Sequence, residues 1–395
     1  MIVRTMLCRT ILGLALLGVG APAHGQSSRA EAIAAEQAAK AGRLAVEEAP
    51  TGEKVVTRVM SSPLLAGSGG VYPWFGSVYN GTGLAAGVGY LHRRGRGERL
   101  SIMAAGSTNG SLLVDASWRL PTFTAGGVVR PRVDARWARY EDVVYHGIGP
   151  ATTEADKSSF DYRPREIAAG FVAEPARGLS VTAEYGYLGL TTLADTTDPR
   201  ARPLTALGET LNYGITRTGA AWDWRPAAGY STRGGVVRGN WSRYTAHGGR
   251  PYSFDELEAE VSQAVPFVRE QFGLAVRALA TTTVTGGGDR VPFILLPSIG
   301  GGDTVRGAPN RRFHDRSRVV LTGEYRWRPS RFLDMALFVD SGAVAPSLAE
   351  IDDQRFYTAW GIGARLHGPA FTALRVELAR GRDGWRAVFA AGQPF

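Results

Sequence analysis

Cysteine and lysine are almost absent from this chain of 395 residues. The single cysteine, Cys8, lies in the first residues, which resemble an export signal. A mature chain without Cys8 has no thiol, which excludes disulfide bonds, cysteine-ligated metals and a cysteine nucleophile. Lys40, Lys54 and Lys157 are the only lysines, so arginine carries nearly all of the positive charge. The planar fork of arginine suits carboxylate and phosphate partners.

Long apolar runs are also missing. Beyond the N-terminus, no run reaches the roughly 18 apolar residues that a membrane-spanning helix needs, which excludes a helical membrane protein. The short run Ile11–Val19 follows two arginines and precedes the small-x-small sequence Ala23-His24-Gly25. This order is typical of a secretion signal, so residues 1–25 are predicted to be a cleaved signal peptide. A short N-terminal anchor helix is the alternative.

The formal net charge is +9, and losing Arg4 and Arg9 with the signal lowers it by two, to +7. The charges alternate with apolar residues and form neither a patch nor a tail. This pattern argues against nucleic acid as a partner, although the chain is basic. It favours lipopolysaccharide phosphates and internal ion pairs as the partners of the arginines.

Residues 26–69 are predicted to form a periplasmic helix and a linker. The predicted helix is Ser28–Val46. Ser28 and Glu31 form a capping-box pair at its start, and alanine dominates the rest. The apolar face of this helix is thin, so the helix cannot build a core alone. Three roles stay open: it plugs a lumen from below, lies in the periplasm, or docks a partner.

From Val71 to the C-terminus, apolar and polar residues alternate with a period of two, which is typical of strands. In one stretch, Leu321 and Tyr325 share one face and Glu324 and Arg326 share the other. Such strands suit a barrel with lipid outside and a polar lumen, because a closed barrel satisfies every backbone group in hydrocarbon. A soluble sandwich also alternates, but its strands are rarely this long along the whole chain.

The alternation predicts an all-β chain whose residues 70–395 form a transmembrane antiparallel barrel of sixteen strands. The predicted strands are 71–79, 82–92, 98–107, 111–121, 130–141, 164–174, 178–190, 213–225, 233–245, 253–265, 269–283, 317–328, 332–344, 357–367, 371–381 and 384–393. In such a barrel, successive connections alternate between the two ends, so every second connection should be periplasmic. Several of these are short. The long connections 142–163, 191–212 and 284–316 all belong to the other set. This sorting agrees with an outer-membrane barrel, whose periplasmic turns are short and whose extracellular loops are longer.

The connection 284–316 is long for a loop without an obvious element. Its core, residues 296–307, reads LPSIGGGDTVRG. Here the sequence resembles the Omp85 superfamily, in particular the bacterial surface antigen barrels related to BamA and TamA. In that family a Val/Leu-Arg-Gly-aromatic motif lies on the long sixth extracellular loop, and Val305, Arg306 and Gly307 match its first three positions. The fourth position is Ala308, a departure from the motif, and Phe313 follows five residues later.

Two strands after the loop carry further resemblance. Residues 321–326 resemble the twelfth strand of the family, and Phe338-Val339-Asp340-Ser341-Gly342 resembles the Phe-x-Asp-x-Gly of its thirteenth. Residues 145–150, Tyr-His-Gly-Ile-Gly-Pro, also resemble a surface antigen segment. The resemblance implies that the loop folds back into the lumen, where its arginine meets acidic residues of the barrel wall.

Alternation places both Glu324 and Asp340 on the lumen face, so they are the expected partners of Arg306. The expected site residues are the loop motif Val305, Arg306 and Gly307, with Glu324, Phe338, Asp340 and Gly342 on the barrel wall. Two alternatives stay open. Arg306 could be a solvated surface residue, and the two carboxylates could pair with Arg326 or Arg328.

No catalytic pattern is recognisable. The five mature-chain histidines are scattered, and neither a Gly-x-Ser-x-Gly elbow nor a His-Glu-x-x-His pair occurs, so we expect no enzyme, no metal and no cofactor. The glycines near Arg306 are not followed by Gly-Lys-Ser/Thr, so a phosphate-binding P-loop is not expected. At the C-terminus, Trp385, Phe389 and the terminal Phe395 share one parity. They resemble the signal by which the barrel assembly machinery recognises outer-membrane barrels.

Full members of the family carry periplasmic POTRA domains, which dock clients. The residues between Gln26 and Gly69 are too few for one such domain, so we expect none here. The main hypothesis is a reduced insertase- or translocase-like component of envelope assembly or transport in the outer membrane, with a separate periplasmic partner as an option. The alternative is a passive pore or structural surface antigen. A remote third class is an outer-membrane hydrolase.

Overall fold

The computed structural model describes residues 69–79, 82–122, 128–194, 204–268, 270–368, 372–390 and 392–395. The chain divides into two units, Met1–Val55 and Val56–Phe395, and all described residues belong to the second. The predicted signal peptide, helix and linker lie outside the described residues, apart from Gly69 at the end of the linker.

Sixteen long strands form one antiparallel sheet in chain order, which curls into a nearly closed barrel. The strands are β1 Gly70–Gly76, β2 Ala85–Arg94, β3 Glu98–Ser107, β4 Leu112–Arg119, β5 Val129–Tyr145, β6 Ser158–Ala176, β7 Leu179–Ala194, β8 Thr210–Asp223, β9 Gly234–Ala246, β10 Phe254–Phe267, β11 Phe272–Thr285, β12 Ser317–Ser330, β13 Leu333–Ala345, β14 Tyr357–His367, β15 Thr372–Gly381 and β16 Gly384–Ala390. Among the described residues, no backbone pairing joins β1 to β16. The predicted all-β barrel of sixteen strands is confirmed.

The period-two pattern decides which side chains face outward. On β12, Leu321 is 43% exposed whereas Glu324, three residues along and on the opposite face, is 2% exposed. Large apolar side chains are exposed in this way on all sixteen strands, as a belt that includes Phe75, Tyr90, Ile102, Trp118, Trp137, Phe171, Tyr185, Trp222, Trp241, Leu257, Leu274, Leu321, Leu337, Trp360, Leu374 and Phe389. An apolar outer belt around a polar interior is the arrangement that a barrel needs in a membrane. No helix in the described part of the chain is long and apolar enough to cross a membrane.

Most predicted strand ends lie within a few residues of the observed ones, but β5, β6 and β7 are longer than predicted. The extra residues of β5 follow an irregularity: its register against β6 shifts between Tyr140 and Val143, and Asp142 has a positive φ of 54°. A bulge of this kind breaks the alternation of apolar and polar residues. The predicted strand therefore ends at the bulge, whereas the observed strand continues beyond it. The last strand is shorter than predicted and ends at Ala390 instead of residue 393.

The two ends of the barrel differ. One end, called here the loop end, carries the long connections 146–157, 195–209 and 286–316. The other, the turn end, carries short connections such as 177–178 and 331–332. In outer-membrane barrels the short turns are periplasmic and the longer loops extracellular, which assigns the two ends.

The loop 286–316, called here the long loop, has more structure than predicted. Phe293–Leu295 forms a 3₁₀ turn, and Ser298–Ile299 pairs antiparallel with Phe313–His314. The two arms of the long loop therefore lie side by side, and the residues between them form a compact tip.

The long loop enters the lumen, and its first arm fills the loop end. Residues 291–296 pack into an apolar core with inward side chains of β2–β8 and β10. Tyr145 and Phe160 contact the ring of Phe293 at centroid distances of 5.0 and 4.7 Å. An apolar core at this position closes much of the lumen to water.

At the turn end, the connection 224–233 reaches across to distant strands. We call this connection the strap. The Tyr230 ring stacks on His367 with centroids 3.7 Å apart, and its hydroxyl donates to Asp334 Oδ1 at 3.2 Å. The Thr372 amide donates to the Gly229 carbonyl at 3.1 Å. The strap thus ties the β8–β9 connection to β13, β14 and β15.

Candidate functional site in the barrel lumen

The tip of the long loop lies against the inner faces of β12 to β15. Its backbone turns at Gly300, where φ is +113° and a Cβ would collide with the Pro309 carbonyl, so only glycine fits. The Gly300 amide donates to Thr304 Oγ1 at 2.8 Å. This tight tip presents Arg306 to the barrel wall.

Arg306 is 1% exposed and binds Asp340 of β13 with three hydrogen bonds. Its Nε and Nη2 donate to the two carboxylate oxygens at 2.7 Å each, and its backbone amide donates to Oδ2 at 3.1 Å. This side-on, two-pronged geometry is the strongest pairing that arginine forms with a carboxylate. It fixes both the side chain and the backbone of the loop tip.

Two further carboxylates share the remaining nitrogen. Arg306 Nη1 donates to Glu324 Oε1 of β12 at 2.7 Å and to Glu377 Oε1 of β15 at 2.9 Å. The structure thus brings Arg306 together with both expected carboxylates and adds Glu377. One loop residue therefore links three strands of the wall.

Other arginines balance these carboxylates. Arg365 of β14 donates to Glu324 at 2.9 and 2.7 Å and to Glu377 at 2.9 Å, and Arg326 donates to Glu324 at 2.7 Å. Arg375 lies 3.6 Å from Glu377 and donates to the Gly302 carbonyl at 3.3 Å. We call this set the arginine hub. It comprises the guanidiniums of Arg306, Arg326, Arg365 and Arg375 with the carboxylates of Glu324, Asp340 and Glu377.

Phe338 forms the floor of the hub. The Arg306 guanidinium carbon lies 3.5 Å from the centre of the Phe338 ring, a cation–π contact. The ring has room there because Gly361 on the paired strand β14 has no side chain; a Cβ at Gly361 would collide with the Phe338 ring. The aromatic residue of the Phe-x-Asp-x-Gly motif therefore supports the arginine that the aspartate binds.

The small residues of the motifs allow close contact. A Cβ on Gly342 would lie 2.8 Å from Val305 Cγ2, and a Cβ on Gly307 would collide with Ala359. Val305 is buried in a second apolar cluster with Ala308, Phe313, Val320, Tyr357 and others. The wall and the loop tip fit together only because both glycines lack side chains.

Ala308 stands where the family has an aromatic residue, and the wall supplies one nearby. Tyr357 of β14 donates from its hydroxyl to the Gly307 carbonyl at 3.2 Å and accepts from the Asp383 amide at 3.2 Å. Its ring lies 5.8 Å from that of Phe313. An aromatic contact with the loop tip is thus present, although its ring comes from the wall.

Burial makes the hub expensive to break. Two unit charges 4 Å apart interact by roughly 4 kcal/mol at an effective dielectric of about 20, but desolvation offsets much of that gain. Removing one partner is different, because it leaves charges buried without compensation and costs about 3–5 kcal/mol. The hub therefore holds the loop in one position more than it adds to net stability.

Alternation indicates which face Arg365, Arg375 and Glu377 occupy, but these three residues were not among those expected at the site. Arg375 and Glu377 alternate with the outward residues Leu374 and Val376, which is the same signal that identified Glu324. They were missed because their strands carry no recognised motif. Of the alternatives, the Glu324–Arg326 pair is present in addition to Arg306, whereas Arg328 lies near Glu270 at 3.7 Å.

Two of the three C-terminal aromatic residues, Trp385 and Phe389, share one face as expected, and Phe395 does not. Trp385 and Phe389 are exposed on the outer face of β16, but Phe395 lies beyond the end of that strand. The Arg326 guanidinium lies 5.1 Å from the centre of the Phe395 ring. Phe395 therefore does not continue the outward row of Trp385 and Phe389, because the strand stops before the row reaches it.

The segment 145–150 packs on the returning arm of the long loop. The Gly149 amide donates to the His314 carbonyl at 2.7 Å, and Arg312 donates to the Thr152 carbonyl at 2.6 Å. His146 and His314 are buried here, and burial lowers the pKa of each imidazole, with smaller contributions from Arg312 and Arg311 respectively. This contact joins the connection 146–157 to the long loop.

The described residues contain no group of three or more His, Cys, Asp or Glu side chains arranged to hold a metal ion. His314 and Asp315 are neighbours in sequence but do not pair with each other among the described residues, since the His314 ring contacts Tyr145 and Asp315 accepts from the Arg316 amide. The ion pairs of the arginine hub hold the tip of the long loop against the barrel wall.

Comparison with known proteins agrees with this geometry. The Omp85 superfamily domain matches residues 93–386. BamA from Haemophilus ducreyi lacking POTRA domains 1–3 superposes with a TM-score of 0.62 at 16% identity, covering 82% of this chain and 70% of that one.

CdiB from Escherichia coli superposes with a TM-score of 0.54 at 14% identity, covering 82% of this chain and 62% of that one, so the chain spans less than two thirds of its length. At these identities the likeness concerns the fold. No curated protein matches the sequence. The match over most of the barrel shows that this chain belongs to the Omp85 superfamily, as an outer-membrane barrel of that type.

Proposed function

We propose that this barrel is an insertase- or translocase-type component of envelope assembly or transport in the outer membrane. The observation that carries the proposal is the arginine hub, because Arg306 is held by Asp340, Glu324 and Glu377 on three strands. A barrel that served only as a passive wall would gain little from burying seven charged side chains, which cost desolvation. A loop fixed in the lumen of a barrel whose described residues show no pairing between β1 and β16 is instead suited to handling a client.

A passive pore or structural surface antigen is the alternative. The apolar core at the loop end and the strap at the turn end both narrow the lumen, which argues against free conduction. We infer a non-catalytic role, which lipase and protease assays on the purified protein would test; hydrolysis above background would contradict it.

The expected partners follow from the same proposal. They are outer-membrane lipids and lipopolysaccharide around the barrel, the barrel assembly machinery during biogenesis, and a separate periplasmic partner that would present clients. The outward apolar belt supports the lipid contacts, since its exposed rings and aliphatic chains need a hydrocarbon surrounding.

The test compares Arg306→Ala with Arg290→Ala. Arg290 lies in the same loop with an exposed side chain, so its loss changes the net charge equally without touching the hub. We expect Arg306→Ala to destabilise the barrel by about 3–5 kcal/mol. It should also make cells that depend on the chain sensitive to large antibiotics. Unchanged stability and unchanged envelope integrity would remove the main support for the proposal.

A conductance measurement separates the alternative. Deleting residues 290–315 from a plugged passive pore should raise single-channel conductance and leave envelope integrity intact. On our proposal the same deletion impairs the envelope, as Arg306→Ala does. Intact envelopes with a large rise in conductance would favour the pore.

A further inference from the structure

Three arginines lie directly opposite one another on neighbouring strands near the turn end. Arg93 of β2 pairs in register with Arg99 of β3, and Arg99 pairs with Arg119 of β4. Directly opposed residues of antiparallel strands share a face, with Cβ atoms about 4.5–5.5 Å apart. We call Arg93, Arg99 and Arg119 the arginine row.

The arginine row faces the lumen. Arg93 lies on the same face of β2 as Ala85, and Arg119 lies on the same face of β4 as Leu113. Ala85 and Leu113 both belong to the apolar core inside the barrel. The outward parity carries Tyr90, Ile102 and Trp118, which are exposed. The row therefore points away from the lipid-facing belt.

None of the three has an ion pair or a side-chain hydrogen bond among the described residues. The nearest acid along the chain, Glu98, lies on the outer face opposite Arg94 and accepts from Trp118 Nε1 at 3.3 Å. Most other lumen arginines are paired, as the pairs Arg132–Asp134, Arg136–Asp115, Arg238–Glu260, Arg277–Glu260 and Arg318–Glu258 show.

Like charges placed directly opposite across strands destabilise a sheet. Arg132 continues the same row on β5, but Asp134 and Glu184 neutralise it at 2.6 and 3.5 Å. Within the described part of the chain, the unpaired row thus covers only β2, β3 and β4, beside β1, which pairs only with β2 there. An uncompensated row at that place fits a binding surface better than a structural one.

We propose that the arginine row binds an acidic, extended polypeptide segment that enters the lumen from the turn end. This inference rests on the proposed function and names the chemistry of its client. Neighbouring strands are about 4.8 Å apart, so the row spans roughly 10 Å. Alternate side chains of an extended segment lie about 7 Å apart, which brings two acidic residues within reach of three guanidinium forks. Lipid headgroups are a poorer fit, because the row points into the lumen.

The experiment measures binding of a fluorescent peptide of alternating Glu and Thr to the purified full chain in zwitterionic detergent. The variant is the triple change Arg93→Gln, Arg99→Gln and Arg119→Gln. The matched control is Arg94→Gln, Arg177→Gln and Arg331→Gln, which removes the same charge from exposed positions near the same end but off the row. We expect the row variant to lose about tenfold or more in affinity, since it loses charge-assisted contacts, and the control to lose little.

Three outcomes would overturn the proposal: equal losses in the two variants, equal affinity of the wild type for a Lys-Thr peptide, or row-dependent binding of phosphatidylglycerol vesicles in place of the peptide. Thermal unfolding provides an independent check. Relieving the opposed charges should raise the melting temperature of the row variant, whereas a lower one would indicate a structural role. Envelope integrity of Arg306→Ala tests the proposed function separately, so the two ideas can fail independently.

Discussion

At the scale of single residues, glycines decide whether the arginine hub can form. A Cβ would press on the Phe338 ring at Gly361, on Val305 of the loop tip at Gly342, and on Ala359 of the wall at Gly307. A small residue in a strand usually weakens the sheet, yet here it makes room for a ring or a loop. The hub therefore depends on residues that carry no charge.

Gly361→Ala should press on the Phe338 ring beneath Arg306 and on the Leu378 carbonyl of the neighbouring strand β15. Overpacking of this kind costs about 1–3 kcal/mol, so the melting temperature of the folded barrel should fall. Gly323→Ala is the control, because a Cβ at Gly323 of β12 meets nothing within 4 Å. Equal melting temperatures for the two variants would show that the floor of the hub tolerates a methyl group.

The sequence identified part of the hub. Glu324 and Asp340 were recognised because two signals met: alternation placed them on the lumen face, and motifs placed their strands beside the loop. Glu377 and Arg365 had only alternation, which gives a face but no partner. Strand tilt and the path of the loop decide which side chains meet across a lumen. A local sequence pattern determines neither of them.

At the scale of elements, the long loop is fixed at three places. Its first arm lies in the apolar core, its tip in the arginine hub, and its returning arm against the segment 145–150. The sequence located this loop by length and parity, but its internal strand pair of two residues each was too short to be recognised from a pattern.

The contact with the segment 145–150 should weaken in acid. Burial holds the pKa of His146 and His314 below the usual value of 6.5, so the docked state does not take up a proton where the undocked state does. Docking is thus fully stable above pH 6.5 and is lost as the pH falls below it. The undocking equilibrium should shift by up to about tenfold per pH unit for each histidine protonated.

Protease cleavage within residues 146–157 measures this undocking. The rate should rise between pH 7.5 and pH 5 in the wild type, compared with a reference peptide. Replacing both histidines with phenylalanine should flatten the profile, while the turn-end change His92→Gln should leave it as in the wild type. A wild-type cleavage rate that does not change with pH would contradict the expectation that protonation of His146 and His314 weakens the contact.

At the scale of the whole molecule, the lumen is closed differently at its two ends. The loop end is filled by an apolar core, which is difficult to open. The turn end is crossed by the strap, whose described contacts with β13, β14 and β15 include one stacked ring and two hydrogen bonds. The turn end is therefore the side from which the polar lumen can be opened at lower cost.

Tyr230→Ala should open the turn end by removing the stack on His367 and the hydrogen bond to Asp334. A cysteine replacing Thr182, which lies on the lumen face of β7 with Glu184, in a chain whose Cys8 is changed to serine, should then react several-fold faster with a maleimide added from the turn side. Tyr252→Ala is the control, because its hydroxyl bonds to Glu209 at the loop end. An equal effect of both changes would show that the strap does not restrict entry.

The arginine hub also bears on the order in which the chain folds. Every carboxylate that Arg306 contacts follows it in sequence, at separations of 18, 34 and 71 residues. The apolar core of the loop end, in contrast, needs strands from the first half of the barrel. Contacts of short sequence separation form sooner on average. The last five strands and the loop tip can therefore assemble as one nucleus before the first half has paired, and closure of the ring comes afterwards.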